Sequence, residues 1–468
     1  MATLAAHPTT VQPRRWLTLA LLSVAQFMLI LDVTVVNVAL PDIGTDLHLG
    51  RAALTWVVTA YTLAFGGLML LGGRLADLLG ARRILLTGLA LFTLASLVTG
   101  LAPNATVLLA GRAAQGIGAA LLSPAALSIV TTTFHGPDRN KALGSWAALG
   151  GTGSAAGVLL GGALTAGPGW PWVFFLNVPV GIAVLATLPA VVPARPRAGE
   201  GRVDLAGAVT VTAATAALIY GLITAGDRGW TSPSALAPIT AAVLLYAAFV
   251  LVERSVKRPL MQVRMLTRRP VAAGATLMLV ASGLLIAAFF LGSFALQHRY
   301  HYSPLATGLA FLPVAVGTVL GAQTASHLIR HLGARPLAVA GLALAAAGAA
   351  AAANWTGVTA LVAGVAVAAT GLGTTFVAAT TTALSNVDQH HAGLTSGIVN
   401  TSHELGGALG VAVVSSLAAP SLVEAATTGA GFTRAFTFSA VVALVTAVAA
   451  AALVPPGKPS TSVTPHAH

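Results

Sequence analysis

The chain has 468 residues, with 24 Lys and Arg against 12 Asp and Glu, 50 Gly, no Cys, 56% hydrophobic residues and only 8% charged ones. A soluble domain carries about 25% charged residues, so this composition excludes an ordinary water-soluble protein. The missing thiols exclude disulfides, thiolate nucleophiles and Cys-ligated metal centres.

Continuous apolar runs predict membrane helices near 16–40, 53–73, 84–102, 105–130, 142–165 and 172–192. A further pair is expected at 205–224 and 236–252, followed by runs at 270–296, 304–328, 336–353, 357–380, 396–418 and 433–454. Fourteen spans of about 20 residues consume roughly 280 residues, which leaves connectors and tails but no folded catalytic domain. These runs are too long and too uniformly apolar for the roughly 10-residue alternating strands of a membrane barrel. The expected class is therefore an all-α integral membrane protein with 14 transmembrane helices. Its divisions are a tail at 1–15, a six-helix half at 16–192, a linker at 193–269 holding two inserted helices, a second six-helix half at 270–454, and a Pro-, Ser- and Thr-rich tail at 455–468 expected to be disordered. The first run contains Asp32 and exceeds the 7 to 15 apolar residues of a removable signal, so it reads as a retained span.

If the amino terminus is cytoplasmic, Arg51, Arg228, Arg299 and Arg434 fall in connectors on the opposite side and Arg112 falls inside a span. Every other Lys and Arg lies on the cytoplasmic side, the bias expected when both termini are inside. That dispersion accounts for the net charge of +12 without a nucleic-acid partner. Trp16, Trp170, Trp172, Trp230 and Trp355 stand near span ends, where indole rings anchor in the headgroup layer.

The string Leu-Gly-Ala-Arg occurs at 79–82 and again at 332–335, each time after the second span of a six-span group, with Arg330 in the place of Asp77. Duplicated halves of this kind suit rocking about a central site. LDVTVVNVALPDI from Leu31, GGRLADLLGARR from Gly72, LLAGRAAQGIGAA from Leu108, WVFFLNVPVG from Trp172, SPLATGLAFLP from Ser303 and NTSHELGGALG from Asn400 follow one another in this order. Together they resemble the major facilitator superfamily, in particular its fourteen-span drug/proton antiporter branch, over nearly the whole chain. The resemblance implies the major facilitator fold and export driven by protons. One departure concerns the fifth span, where the branch has a proline within GxxxGPxxGG and this chain reads GSAAGVLLGG, with Val158 at that position. Gly153, Gly157 and Gly161, with Gly162 beside them, still give a small-residue face for close helix packing.

Among the acids only Asp32 and Glu404 lie well inside spans. A charge at mid-bilayer costs about 2.5 to 3.5 kcal/mol on insertion scales, so such a residue faces a cavity or a partner. Asp32 is expected at the depth of Arg112. It is either a proton carrier in a water-accessible vestibule or one half of a permanent ion pair. Glu404, next to His403 where the family pattern more often has Arg-Gln, reads as a second carrier or as a polar helix contact. Gly73, Asp77, Gly80, Arg82 and Arg83 make up the connector motif. By the resemblance, Asp77 caps or pairs across the cytoplasmic ends of neighbouring helices in the outward-open state, and the segment acts as a conformational switch.

The chain has no GxxxxGK[ST] phosphate loop, no catalytic constellation and no convincing metal set: His327 and His331, and His390 and His391, lack companion ligands. No cofactor is expected and the protein does not read as an enzyme. The reading is a monomeric, proton-coupled exporter of small lipophilic drugs or antibiotics in contact with membrane lipids, working by alternating access in the cytoplasmic membrane. Export of one dedicated antibiotic, metabolite or lipid, and a non-transporting receptor or scaffold, stand as the alternatives.

Overall fold

The computed structural model describes residues 12–192, 204–256, 263–385, 389–423 and 429–457. The amino-terminal tail up to 11, the linker stretches 193–203 and 257–262, and the tail beyond 457 lie outside the described residues. The disorder expected for the carboxy-terminal tail therefore concerns residues outside them.

The chain runs through α1 (Gln12–Asp46), α2 (Arg51–Leu79), α3 (Ala81–Gly100), α4 (Ala105–Thr133), α5 (Gly136–Ala166), and the broken pair α6 (Pro171–Phe175) and α7 (Asn177–Val191). There follow α8 (Leu205–Arg228), α9 (Pro233–Ser255) and the short α10 (Val263–Leu266). The remainder is α11 (Arg269–Phe294), which ends in a π-helical turn at Ala295–Arg299, then α12 (Pro304–Ala310), α13 (Leu312–Leu332), α14 (Ala334–Ala353), α15 (Val358–Leu384), α16 (Gln389–Leu417), α17 (Ala419–Val423) and α18 (Ala430–Leu453).

Local chemistry sets several of these ends. Asn104, Asp204 and Ser303 accept from the backbone N–H of Val107, Gly207 and Ala306 and so cap α4, α8 and α12. Proline in the first turn of α6, α9, α11 and α12 has no N–H to leave unsatisfied there. Inside the helices, hydroxyls such as Thr34, Ser96 and Thr375 donate to the carbonyl four residues back, which satisfies them without water.

Among the described residues twelve helices are long and apolar enough to cross a membrane. The two remaining runs of the expected fourteen, 142–165 and 396–418, fall on α5 and α16, which are long helices but lie outside that set. Among the described residues α5 has an apolar stretch at Thr152–Ala166, and α16 carries Asn400, His403 and Glu404 among its apolar residues.

The repeated string keeps its conformation as well as its letters. Gly80 links α2 to α3 with φ 94°, and Gly333 links α13 to α14 with φ 83°, the left-handed region that favours glycine. In the first part of the chain α1 packs on α5 and α7, and α4 packs on α2 and α3. In the last part α15 packs on α11, α13 and α14, while α16 packs on α11 and α18 on α14. α8 pairs with α9 and also lies against α2 and α16.

The two parts meet unevenly. At the end of the bundle that holds Arg51, buried side chains from both parts, including Val35, Val38, Phe290, Phe294, Val411 and Phe436, form one apolar core. Toward the Asp77 end the two large cores are separate, and among the described residues only a small cluster of Val271, Ala275 and Ile398 packs on Leu70 of the first part. One large core is built from residues such as Leu22, Leu85 and Ile129 of the first part, the other from Leu277, Leu337 and Ala379 of the last. Trp170 departs from the anchoring role expected of it: it is buried, and its indole N–H donates to Asp46 Oδ2 at 2.8 Å, so it ties helix ends together inside the protein.

Candidate functional site

The centre of the first part is a charged network enclosed by helices. Arg112 and Gln115 stand one turn apart on the same face of α4. Glycines bring α4 close to its neighbours: a Cβ at Gly118 would lie 2.7 Å from the Phe92 nitrogen of α3, and one at Gly116 would collide with the Tyr61 carbonyl of α2. Arg112 Nη1 is 2.5 Å from Asp32 Oδ2 of α1, and its Nε donates to the Val57 carbonyl of α2 at 2.9 Å. Gln115 Nε2 donates to Asp32 Oδ1 at 3.1 Å and to Ser96 Oγ of α3 at 2.8 Å, while its own carbonyl accepts from Arg112 at 3.0 Å. Asn177, at the start of α7, donates to Asp32 Oδ1 at 3.0 Å.

The Arg112 guanidinium also lies 4.5 Å from the centre of the Tyr61 ring and 5.9 Å from that of Phe174. Asp32 is 0% exposed and Arg112 1%. A buried ion pair is tolerated when geometry is good and the remaining lone pairs and protons find partners, and here both carboxylate oxygens are engaged. The structure thus places Asp32 in a buried network with no exposed surface of its own.

Glu404 is not part of that network. It sits on α16 against α2, where a Cβ at Gly66 would come within 2.7 Å of the Glu404 Cβ. Its side chain keeps 13% exposure, with His403 Nδ1 3.3 Å from its Oε1, and the His403 ring lies 5.6 Å from Phe376 of α15. The two membrane acids therefore flank α2. The Tyr61 hydroxyl has no hydrogen-bond partner among the described residues.

In the connector motif Asp77 is exposed and makes no hydrogen bond or ion pair among the described residues; the pairing implied by the resemblance concerns the outward-open state. Arg82 does make a cross-helix contact, donating to the Pro189 carbonyl of α7 at 3.0 Å. Gly80 supplies the turn, Gly73 sits at ordinary van der Waals distance from Pro124, and Arg83 is exposed.

The glycine face of α5 is used for packing. Cβ atoms at Gly153, Gly157 and Gly161 would press on Ile30, Thr34 and Val35 of α1, while one at Gly162 would lie 2.7 Å from the Pro304 carbonyl of α12. Val158 is buried with its carbonyl against Gly308, and α5 continues through it as one helix, as a residue retaining its N–H allows.

Sequence reasoning missed Ser96, Tyr61 and Asn177 as parts of the network, because only the fold brings them to Asp32. Gln115 carried a signal in its i+3 relation to Arg112. Arg51, expected in a connector, is 5% exposed and bonded across three helices; its presence on the side poor in basic residues was the available hint.

These features define a multi-pass helical membrane protein built around a buried charged network. Residues 22–411 match the family model described as Major Facilitator Superfamily, and the chain belongs to that superfamily of transporters. It is 38% identical over 465 residues to the puromycin resistance protein pur8 of Streptomyces alboniger, covering 94% of this chain and 92% of that one. It is 39% identical over 409 residues to the cephamycin export protein CmcT of Amycolatopsis lactamdurans, covering 85% and 83%. Among solved structures, a bacterial homologue of the human lysosomal transporter Spinster superposes with a TM-score of 0.64 at 18% identity over 95% of this chain and 96% of that one.

Proposed function

We propose that this protein exports small lipophilic antibiotics or drugs across the cytoplasmic membrane in exchange for protons, by alternating access. The observation that carries the reading is the buried Asp32–Arg112 network in a bundle whose two parts share their large core at one end. Such a network holds charge in a low-dielectric interior, where gain or loss of one proton changes the balance between conformations. Relatives named for puromycin resistance and cephamycin export support an antibiotic-like substrate. In this reading α5 and α16 complete a set of fourteen spans, six in each half plus the α8–α9 hairpin. Both termini are cytoplasmic, and the Asp77 end, where the cores part, opens to the cytoplasm.

In this reading the conformation described here holds Asp32 against Arg112, and proton uptake belongs to the state open to the other side. There, protonation of Asp32 would release Arg112 from its counter-ion. Proton re-entry down about 100 mV supplies about 2.3 kcal/mol, which sustains roughly a 50-fold gradient of a neutral substrate exchanged one for one.

The test is efflux from proteoliposomes under an imposed pH gradient, with puromycin and a panel of lipophilic antibiotics as probes. The wild-type protein is expected to drive efflux, and Asp32→Asn to abolish the gradient-driven part while still inserting. Equal pH-driven efflux by the variant removes Asp32 from coupling, and ligand binding without any transport overturns the exporter reading. Movement of one compound alone marks a dedicated exporter.

A further inference from the structure

Arg51 opens α2, and its side chain is 4% exposed. Its Nε donates to Asp227 Oδ1 at 2.9 Å, and its Nη2 stands 2.6 Å from the same oxygen. Nη2 also donates to the Ile223 carbonyl at 2.6 Å, and Nη1 donates to Ser415 Oγ at 3.1 Å. The Ser415 hydroxyl is 2.5 Å from Thr55 Oγ1, one turn along α2. One guanidinium therefore joins α2 of the first part, α16 of the last part and α8 of the hairpin between them.

Two independent features show that α8 is seated in the seam between α2 and α16. Leu63, Ile219, Leu222, Ile223, Ala408 and Ala412 form one buried apolar cluster drawn from these three helices. The backbones also approach closely on both sides: a Cβ at Gly226 would lie 2.7 Å from Ser416 Cα, and one at Gly67 would lie 2.6 Å from Thr212 Oγ1. A hairpin whose only task was to add apolar surface to the bundle would not need a buried arginine with a counter-ion.

We propose that the α8–α9 hairpin is the third member of a clasp, centred on Arg51, that holds α2 and α16 together at the Arg51 end and must release for that end to open. The proposal rests on the alternating-access reading for its purpose. The chemistry of the clasp divides into two legs. The Arg51–Ser415 and Thr55–Ser415 contacts cross between the two parts and break when α2 and α16 separate. The Arg51–Asp227 and Arg51–Ile223 contacts keep the guanidinium oriented and neutralised while the first leg breaks, so Arg51 is never stranded in an apolar seam. Asp227 is suited to this because its side chain is 47% exposed and reaches water at the bundle's end.

The natural chain contains no Cys, so a single introduced thiol reports opening. Val38 is 0% exposed in the shared core at the Arg51 end. Purified Val38→Cys protein in lipid nanodiscs, treated with a water-soluble maleimide, is expected to react slowly. Arg51→Gln, and Ser415→Ala in the same background, are expected to raise the labelling rate on the order of tenfold, the effect of losing one hydrogen bond to a charged group. Asp227→Asn, which leaves the α16 leg in place, is expected to raise it less than Ser415→Ala does.

If Arg51→Gln fails to fold, Ser415→Ala carries the test, since it removes one hydroxyl. Unchanged labelling in Ser415→Ala, even with a lowered melting temperature, overturns the clasp and leaves these contacts as static anchors. Faster labelling in a protein that shows no pH-driven efflux keeps the clasp and overturns the proton-exporter reading, so the two can fail separately.

Discussion

Asp32 and Arg112 define what a single residue can do in this protein. Each would be prohibitive alone in an apolar interior, and each is stabilised because the other is placed within contact distance with Gln115 and Asn177 completing the shell. Removing one partner leaves a buried uncompensated charge, at a cost of about 3 to 5 kcal/mol. Arg112→Ala is accordingly expected to lower the unfolding midpoint of the detergent-purified protein sharply. The double variant Asp32→Asn with Arg112→Gln, which leaves neither charge, is expected to recover most of that loss. A double variant as unstable as Arg112→Ala would mean that guanidinium packing on Tyr61 and Phe174 matters more than charge balance. The pair itself was legible in the sequence, because acids inside apolar runs are conspicuous and Arg112 is the basic residue within one. Its completion by Asn177, 145 positions away, was not, since hydrophobicity patterns carry no information about which side chains meet.

At the scale of elements, glycine governs how closely helices cross. The α5–α12 crossing is built on Gly162 and Gly308, with the Val158 carbonyl of α5 facing Gly308 so closely that a Cβ there would collide with it. Gly308→Val must therefore push α12 away from α5, at a cost of about 1 to 3 kcal/mol typical of overpacking. The expected result is a protein that folds but no longer holds its Arg51 end tightly closed, seen as faster amide hydrogen exchange in α12 and the end of α5. Unaltered exchange there would show that the crossing is not tight in solution. Gly153, Gly157 and Gly161 were readable as a packing face from their spacing, although their partner, α1, was not.

Helix positions were readable throughout, because long apolar runs leave the backbone no alternative to internal hydrogen bonding. Twelve of the expected fourteen are long and apolar enough among the described residues; α16 carries Asn400, His403 and Glu404 within its run, which a helix facing protein on several sides tolerates. The break between α6 and α7 and the π-helical turn after α11 had no signature in the sequence.

For the molecule as a whole, the arrangement of cores sets which motions are available. A single core spanning both parts at the Arg51 end resists separation there, because parting would expose apolar surface and break the Arg51 contacts together. Toward the other end the two large cores are separate, and the two parts approach or diverge there without disrupting either, the small cluster around Leu70 and Ile398 being shared. Rocking about this asymmetry predicts opposite changes at the two ends, whereas local breathing of one helix predicts a change at one end only. The absence of Cys allows spin labels to be placed in pairs without removing native thiols. One pair, at Gly144 of α5, where a Cβ meets nothing within 4 Å, and at exposed Ser326 of α13, reports the Asp77 end. A second pair, at exposed Trp172 of α6 and exposed Leu305 of α12, reports the other. Lowering the pH in nanodiscs, which promotes protonation of the carboxylates that the proposed coupling uses, is expected to shorten the Gly144–Ser326 distance and lengthen the Trp172–Leu305 distance in the same fraction of molecules. With Asp32→Asn already neutral at the network, the shift is expected to persist at high pH. A shift that survives unchanged in its pH midpoint in Asp32→Asn would assign the pH response to another acid, of which Glu404, partly exposed and paired with His403, is the first to test by Glu404→Gln.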